Sequence, residues 1–306
     1  MEMFLKMMNL QIELLLLMLI GFIVKRIKVI DTVQQRGLSE LLINVILPAT
    51  IIKSFISQQN TSLDVLKNSV IMIVVCLAIQ LAIMLVSPLF QRFFDKDKAK
   101  IMEYGLLVSN SSFVGLPVIE YMFGLEAVMY ASIYLIPMRF TMWTVGISLF
   151  SKDSDFKKNI KKVIFHPCII AVLLGFVLMF LPFTLPATFT ETVAIVSRSS
   201  TCLSMIVIGA ILADINFDHL LDKEIIVFSA LRLFILPISV YLILKLIKLD
   251  SLLIAISVIL TAMPCGSTCP ILAQKYNSDY KFAAKLILVS SLLSVVSIPL
   301  ICLLLK

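Results

Sequence analysis

The chain has 306 residues, of which 60% are hydrophobic and only 15% carry charge, and its formal net charge is +7. Soluble globular domains are nearer half apolar, so this composition and a mean hydropathy of +1.05 exclude an ordinary soluble protein. A positive net charge can indicate nucleic-acid binding, but here the charges occur in short runs between long apolar stretches, which indicates a membrane protein.

The apolar stretches are about as long as a bilayer requires of a helix, roughly 20 residues each. We number them as segments 1 to 10, at residues 5–24, 37–56, 69–90, 101–123, 127–150, 163–181, 190–212, 224–247, 251–274 and 282–304. A barrel would alternate apolar and polar residues, and lipid offers no partner to open backbone groups, so every segment is expected to be helical. We therefore predict an all-α integral membrane protein with ten transmembrane helices.

The loops between segments alternate in basicity. Most of the 26 lysines and arginines follow odd-numbered segments, although the loop after segment 7 is acidic. The positive-inside rule then places these loops in the cytoplasm and both termini outside the cell membrane. Segment 1 begins at Leu5 and lacks a small-residue cleavage site, so we do not expect a removed signal peptide.

Segment 2 contains Asn44 and Pro48. Proline removes one backbone donor and disturbs the preceding helical turn. We interpret Pro48 as a kink, and we include Asn44 among the candidate substrate-binding residues because a kink here would line a central cavity.

Segment 4 is interrupted near its middle by polar and helix-breaking residues. They are Asn110, Ser111, Ser112, Gly115 and Pro117. A break leaves two half-helices whose ends expose unpaired backbone groups, with partial positive charge at an N-terminus. An ordinary proline kink, with the hydroxyls bonded to nearby carbonyls, is the alternative.

Charge deep within a membrane segment is costly and usually functional. Arg139 in segment 5 has two candidate partners, a substrate anion or the carbonyls of a broken helix end. Arg232 in segment 8 is expected to extend to the cytoplasmic face. Glu13 in segment 1 and Arg198 in segment 7 are expected at equal depth, so an ion pair between them is a hypothesis, with proton coupling through Glu13 as the rival.

Segment 9 repeats the pattern of segment 4. It contains Pro264, Gly266, Ser267, Thr268 and Pro270. Matched broken helices in two halves of a membrane protein indicate a transporter with its substrate between them. If the breaks cross, their helix N-termini can face a bound carboxylate, with neutral donors beside it from Asn110, Ser267 and Thr268.

Pro117 and Pro270 lie half the chain length apart, which predicts an internal duplication. We place the first repeat at residues 1–150 (segments 1–5) and the second at residues 151–306 (segments 6–10). Five segments is an odd number, so the second repeat must be inverted relative to the first.

No cofactor or metal site is predicted. The six cysteines show no zinc-type spacing, and His166 and His219 are expected to be solvated at segment edges. Paired mid-membrane aspartates, a Ser–His or Ser–Lys pair and an HExxH motif are all missing from the sequence. We therefore do not expect an enzyme.

Three stretches resemble the auxin efflux carrier family, within the bile acid/auxin transporter superfamily. They are LPATIIKSF at residues 47–55, NSSFVGLPVIEYMFG at 110–124 and AMPCGSTCPILAQKYN at 262–277. The chain lacks the long loop that plant members carry between segments 5 and 6. This difference makes it more similar to the bacterial organic-acid permeases. Cys265, Ser267 and Thr268 stand where plant members have other residues, so auxin itself is not the expected substrate.

The resemblance implies two inverted five-helix repeats with crossed breaks in segments 4 and 9. It also implies a scaffold of segments 1, 2, 6 and 7, a mobile transport unit of segments 3–5 and 8–10, elevator-type movement and a homodimer formed through the scaffold. A carboxylate bound at the crossover is implied as well, with Asn110, Pro117 and Pro270 matching the family motif.

We conclude that the sequence predicts a secondary active carrier of small organic anions such as malate or malonate. The coupling ion, H⁺ or Na⁺, stays open. The alternatives are a sodium-coupled bile-acid-type symporter, which should show more acidic and amide residues at the breaks, and a structural or receptor-like membrane protein that transports nothing.

Overall fold

A computed structural model describes residues 2–57, 63–150, 160–161, 163–180, 185–214 and 222–305, with side chains from Met8 onward. The loop that joins the predicted halves lies almost entirely outside these residues. His219 also lies outside them. Within them the chain is helical, without a β-strand apart from one isolated bridge. The prediction of an all-helical membrane protein is confirmed.

Helices occupy the positions of all ten segments. Those of segments 1–5 are Glu2–Arg26, Thr32–Leu41, Leu42–Ile46, Leu47–Ile56, Leu63–Val86, Ser87–Arg92, Lys96–Leu107, Ser111–Gly115, Leu116–Trp143 and Val145–Phe150. Those of segments 6–10 are Pro167–Met179, Ala187–Ala213, Lys223–Ala230, Leu231–Ile235, Leu236–Leu246, Ser251–Thr261, Thr268–Lys275 and Tyr280–Leu303. Among the described residues, seven helices are long and apolar enough to cross a membrane, and Pro167–Met179 and Ser251–Thr261 are shorter apolar helices.

In the described part of the chain, three prolines lie in the same local structure. Pro48, Pro117 and Pro237 each occupy the second position of an α-helix, directly after a five-residue π-helical turn. Proline lacks a donor and its ring crowds the preceding turn, and a wider turn accommodates both effects. Segment 4 is therefore interrupted before its π-helical turn, several residues earlier than Pro117.

Segments 4 and 5 are separated at a single glycine. Gly124 has φ +77° and ψ −169°, a conformation that a side chain would strain, inside the otherwise helical run Leu116–Trp143. The predicted boundary between the two segments falls at this residue.

Neighbouring segments pack side by side. Segment 1 packs along segments 7 and 10, segment 7 along segment 2, and segment 2 along segment 6. Segment 3 packs on segment 5, while segment 9 contacts segments 5, 8 and 10. The candidate functional site lies where segments 4, 5 and 9 meet segments 2, 6 and 7.

Segments 1 and 7 approach each other with almost no space between their backbones. A Cβ added to Gly209 would lie 1.9 Å from the carbonyl oxygen of Met18. Small residues permit such contacts between membrane helices. Further along both helices Lys25 forms an ion pair with Asp214, at 3.2 Å.

The expected ion pair between Glu13 and Arg198 is not formed within the chain. Both side chains are exposed, near the middle of helices Glu2–Arg26 and Ala187–Ala213 respectively. The ion pairs of the described residues involve other side chains. Equal depth was a necessary condition for the pair but not a sufficient one, because the two side chains face away from the interface between their helices.

Candidate functional site

The breaks in segments 4 and 9 meet as two short antiparallel extended stretches. Ser109 pairs with Cys265 in the isolated β-bridge. The Asn110 backbone N–H donates to the Pro264 carbonyl at 2.8 Å, and the Gly266 N–H donates to the Val108 carbonyl at 3.0 Å. Each break thus supplies a hydrogen-bond partner for the backbone that the other leaves open.

The carbonyl ends of the first half-helices converge on one buried arginine. Arg232 is only 2% exposed; its Nε donates to the Met263 carbonyl at 2.9 Å and its Nη1 to the Leu106 carbonyl at 2.6 Å. A helix C-terminus carries partial negative charge, which a cation stabilises. The expectation that Arg232 extends to the cytoplasmic face is therefore wrong, because its guanidinium is held between the two breaks.

Other carbonyls near the crossover are also occupied. Gln80 Nε2 donates to the Leu107 carbonyl at 3.1 Å. Ser111 Oγ donates to the Leu260 carbonyl at 2.9 Å, and Ser109 Oγ to the same oxygen at 3.3 Å. These acceptors are consumed by the protein itself, as a water-poor interior requires.

The second half-helices present their N-termini to a cavity of about 130 Å³. Asn110 precedes the turn Ser111–Gly115, and Ser267 precedes the helix Thr268–Lys275; neither side chain caps its own helix. The helix ends give the cavity partial positive charge. The Asn110 side chain remains available for a ligand.

Half of the predicted site residues line this crossover cavity, namely Asn110, Ser112, Arg139, Gly266, Ser267 and Thr268. The others lie elsewhere. Ser111 binds the Leu260 carbonyl and Pro264 binds the Asn110 backbone, whereas Gly115 packs near Leu260 and Met263. Pro117 is buried in its helix, Pro270 lines a neighbouring cavity, and Asn44 is exposed outside the crossover cavity.

The charge of the crossover cavity comes from Arg139, which is 4% exposed. Its Nη2 donates to Ser112 Oγ at 3.0 Å, while its Nη1 and the Asn110 Nδ2 are buried without a hydrogen-bond partner. Buried donors without acceptors are rare and costly. No Asp or Glu is among the described residues that line the cavity. The arrangement therefore favours a bound acceptor group, and an anion most of all.

Sequence reasoning missed the opposite wall of the cavity. Segment 2 contributes Ser39, Ile43 and Leu47, and segments 6 and 7 contribute His166, Cys168 and Ile211. The other missed lining residues are Val108, Ser109 and Phe113 of segment 4, Met138 and Met142 of segment 5, and Ile271 of segment 9. Most are ordinary apolar residues, which no local pattern distinguishes from lipid-facing ones.

Among these missed residues, His166 is the one that the sequence could have marked as part of the site, because it stands directly before Pro167 at the start of segment 6. We expected a solvated side chain. Instead it is half-buried, accepts a hydrogen bond from the Cys168 N–H through Nδ1 at 3.3 Å, and lines the cavity. A capping histidine at a helix start can thus also face a central site.

Comparison with known proteins gives concordant results. The sequence profile of the family described as membrane transport protein matches residues 7–159 and 155–302. The chain is 27% identical over 295 residues to an uncharacterized transporter of Methanothermobacter thermautotrophicus, covering 94% of this chain and 95% of that protein. It is 23% identical over 301 residues to one of Methanocaldococcus jannaschii, covering 96% and 97%.

The crossover geometry predicts that Arg232 is required for stability. Arg232→Met leaves the Leu106 and Met263 carbonyls buried without a donor, which should cost about 2–5 kcal/mol. We expect a large fall in the temperature at which the detergent-solubilised protein loses its monodisperse size-exclusion peak, with Arg232→Lys intermediate. The matched control Arg92→Met removes an exposed arginine and should leave that temperature unchanged. Equal thermal stability of Arg232→Met and wild type would contradict the assignment.

Proposed function

The chain belongs to the membrane transport protein family, which includes the auxin efflux carriers, and we propose that it is a secondary active carrier of small organic anions. It is thus a transport protein rather than an enzyme. The substrate class that we propose is a mono- or dicarboxylate such as malate or malonate, held at the crossover between segments 4 and 9.

One observation carries the proposal. The crossover cavity has two buried, unpaired donors, Arg139 Nη1 and Asn110 Nδ2, and among the described residues it has no carboxylate. A carboxylate offers about four acceptor sites and can satisfy both donors at once. The N-termini of the two half-helices add favourable partial charge. A neutral or cationic substrate would leave this charge without compensation.

The occupied carbonyls argue against a sodium-coupled bile-acid-type mechanism with its ion at the crossover. Na⁺ would need oxygen ligands, whereas the carbonyls of Leu106 and Met263 bind Arg232 and that of Leu107 binds Gln80. A proton gradient is therefore the first driving force to test. A structural or receptor-like membrane protein would not need a cavity with unpaired donors.

Elevator-type alternating access is part of the proposal. The cavity is bounded on one side by segments 2, 6 and 7 and on the other by segments 4, 5 and 9. This boundary coincides with the proposed division between scaffold and transport unit. A substrate held by the crossing breaks would then travel with the transport unit past a fixed wall.

We also propose ten membrane crossings arranged as inverted repeats at residues 1–150 and 151–306, with both termini outside the cell membrane. The distribution of basic residues supports this orientation. Tags fused to either terminus should be removed by protease added to intact cells. Protection of either tag while an external control protein is digested would contradict the topology.

The last part of the proposal is a homodimer formed through the scaffold segments. Glu13 and Arg198 are both exposed near the middle of their helices, and a charge facing lipid there is costly. A two-fold partner would bring each Glu13 near an Arg198 of the other copy.

Cys202, exposed one turn after Arg198, should then form a cross-linked dimer with a bifunctional maleimide in native membranes. Cys202→Ser should abolish the product, since the other cysteines are buried, and a monomer with every cross-linker length would exclude this interface.

The site itself predicts transport that depends on two side chains. In proteoliposomes with imposed pH, Na⁺ and voltage gradients, we expect saturable uptake of at least one labelled carboxylate from a panel containing malate and malonate. Asn110→Ala and Arg139→Gln should each reduce this uptake about 10- to 100-fold, which corresponds to the free energy of one hydrogen bond that involves a charged group. Size-exclusion profiles check that both variants fold.

Asn44→Ala separates the structural site from the one predicted by sequence, because Asn44 lies outside the cavity and should be dispensable. Uptake that survives both Arg139→Gln and Asn110→Ala would show that the substrate binds outside the crossover cavity. Absence of uptake for every acid by the wild-type protein would refute the carboxylate assignment.

A further inference from the structure

A second and larger cavity adjoins the crossover cavity. Its volume is about 580 Å³, and its wall comes from segments 2, 7, 9 and 10. Ser39, Ile211 and Ile271 line both cavities. The two spaces therefore adjoin at these three residues, two of which are isoleucines.

The charges of the larger cavity are predominantly positive. Among the described residues that line it, Arg36, Lys281 and Lys285 are cations and Asp214 is the one carboxylate. This carboxylate forms an ion pair with Lys25 at 3.2 Å, so the local negative charge is already compensated. The cations come from two helices, Arg36 from Thr32–Leu41 and the two lysines from the start of Tyr280–Leu303. The exposed charges of Arg36 and Lys281 alone exceed the one carboxylate that is already paired, so the cavity is cationic.

We propose that this cationic vestibule is a second anion-binding site, which holds a small carboxylate at the cytoplasmic side before it passes Ile211 and Ile271 to the crossover cavity. The inference rests on the proposed function for its substrate class and side. It adds a distinct site with distinct residues, because none of the three vestibule cations lines the crossover cavity.

The vestibule differs from the crossover cavity in how it binds. Arg36 and Lys281 are exposed, so their charges are hydrated and screened by salt. Such a site attracts and concentrates anions, and its effect falls as ionic strength rises. The crossover cavity instead holds buried donors that fix one geometry. The vestibule therefore raises occupancy from the cytoplasm, while the crossover cavity selects the substrate.

The first test measures the electrostatic field in the vestibule directly, and it does not depend on transport activity. Gln274 lines the vestibule and is exposed, so Gln274→Cys in a Cys202→Ser background offers one accessible thiol. We compare its modification rates with an anionic and a cationic methanethiosulfonate reagent. Arg36→Gln/Lys281→Gln/Lys285→Gln should lower the anionic-to-cationic rate ratio about fivefold or more at low salt.

The matched control removes three exposed charges that lie outside the vestibule, by Arg92→Gln/Lys96→Gln/Lys223→Gln. This variant has the same net charge as the vestibule variant and should keep the wild-type ratio. A ratio that falls equally in both triple variants, or in neither, would overturn the proposal.

The second test separates the vestibule from the crossover cavity by malate protection of the same thiol. Malate should slow modification of Gln274→Cys in the parent and also after Arg139→Gln, which disables the crossover site, but not in the vestibule triple variant. Protection lost through Arg139→Gln and kept in the triple variant would show that the anion binds only at the crossover, and would refute the vestibule site. Failure of the proposed function appears instead as protection without wild-type malate uptake.

Discussion

The structure depends on one constraint: every backbone polar group of a broken helix must find a partner where no water or lipid can supply one. The breaks in segments 4 and 9 meet it together. Their extended stretches pair with each other, and Arg232 binds a carbonyl from each first half-helix. Two interruptions that would each leave backbone groups unpaired alone become one connected crossover, which the buried arginine joins by binding both.

The same constraint separates acceptors from donors. The carbonyls around the crossover are consumed by Arg232, Gln80 and the hydroxyls of Ser109 and Ser111, whereas the N-termini and the donors of Asn110 and Arg139 face the cavity. The buried side-chain atoms of the cavity lining that are left without a partner are therefore both donors, Asn110 Nδ2 and Arg139 Nη1. Preference for an anion thus follows from how the backbone is stabilised, and the adjoining cationic vestibule extends the same positive field toward the membrane surface.

The sequence predicted the elements well because their signals are local. Apolar length located the ten helical segments, and proline, glycine and small polar residues located both breaks. It did not predict the partners of the arginines, because Arg232 meets carbonyls that lie far away in sequence, and only packing decides which of two buried arginines serves the backbone. Arg139 had both roles open, and the structure places it at the cavity. The opposite wall was missed for the same reason, since Ile43 and Ile211 have no signal that separates them from lipid-facing residues.

The central claim is that a carboxylate binds between Asn110 and Arg139 at the crossing helix ends. The most direct measurement is an experimental structure of the protein with a brominated dicarboxylate such as bromosuccinate, whose bromine is located by anomalous scattering. The account predicts the bromine signal in the crossover cavity, with the carboxylate within hydrogen-bond distance of Asn110 Nδ2 and Arg139 Nη1. Anomalous density only at another site, at a ligand concentration that saturates uptake, would contradict it.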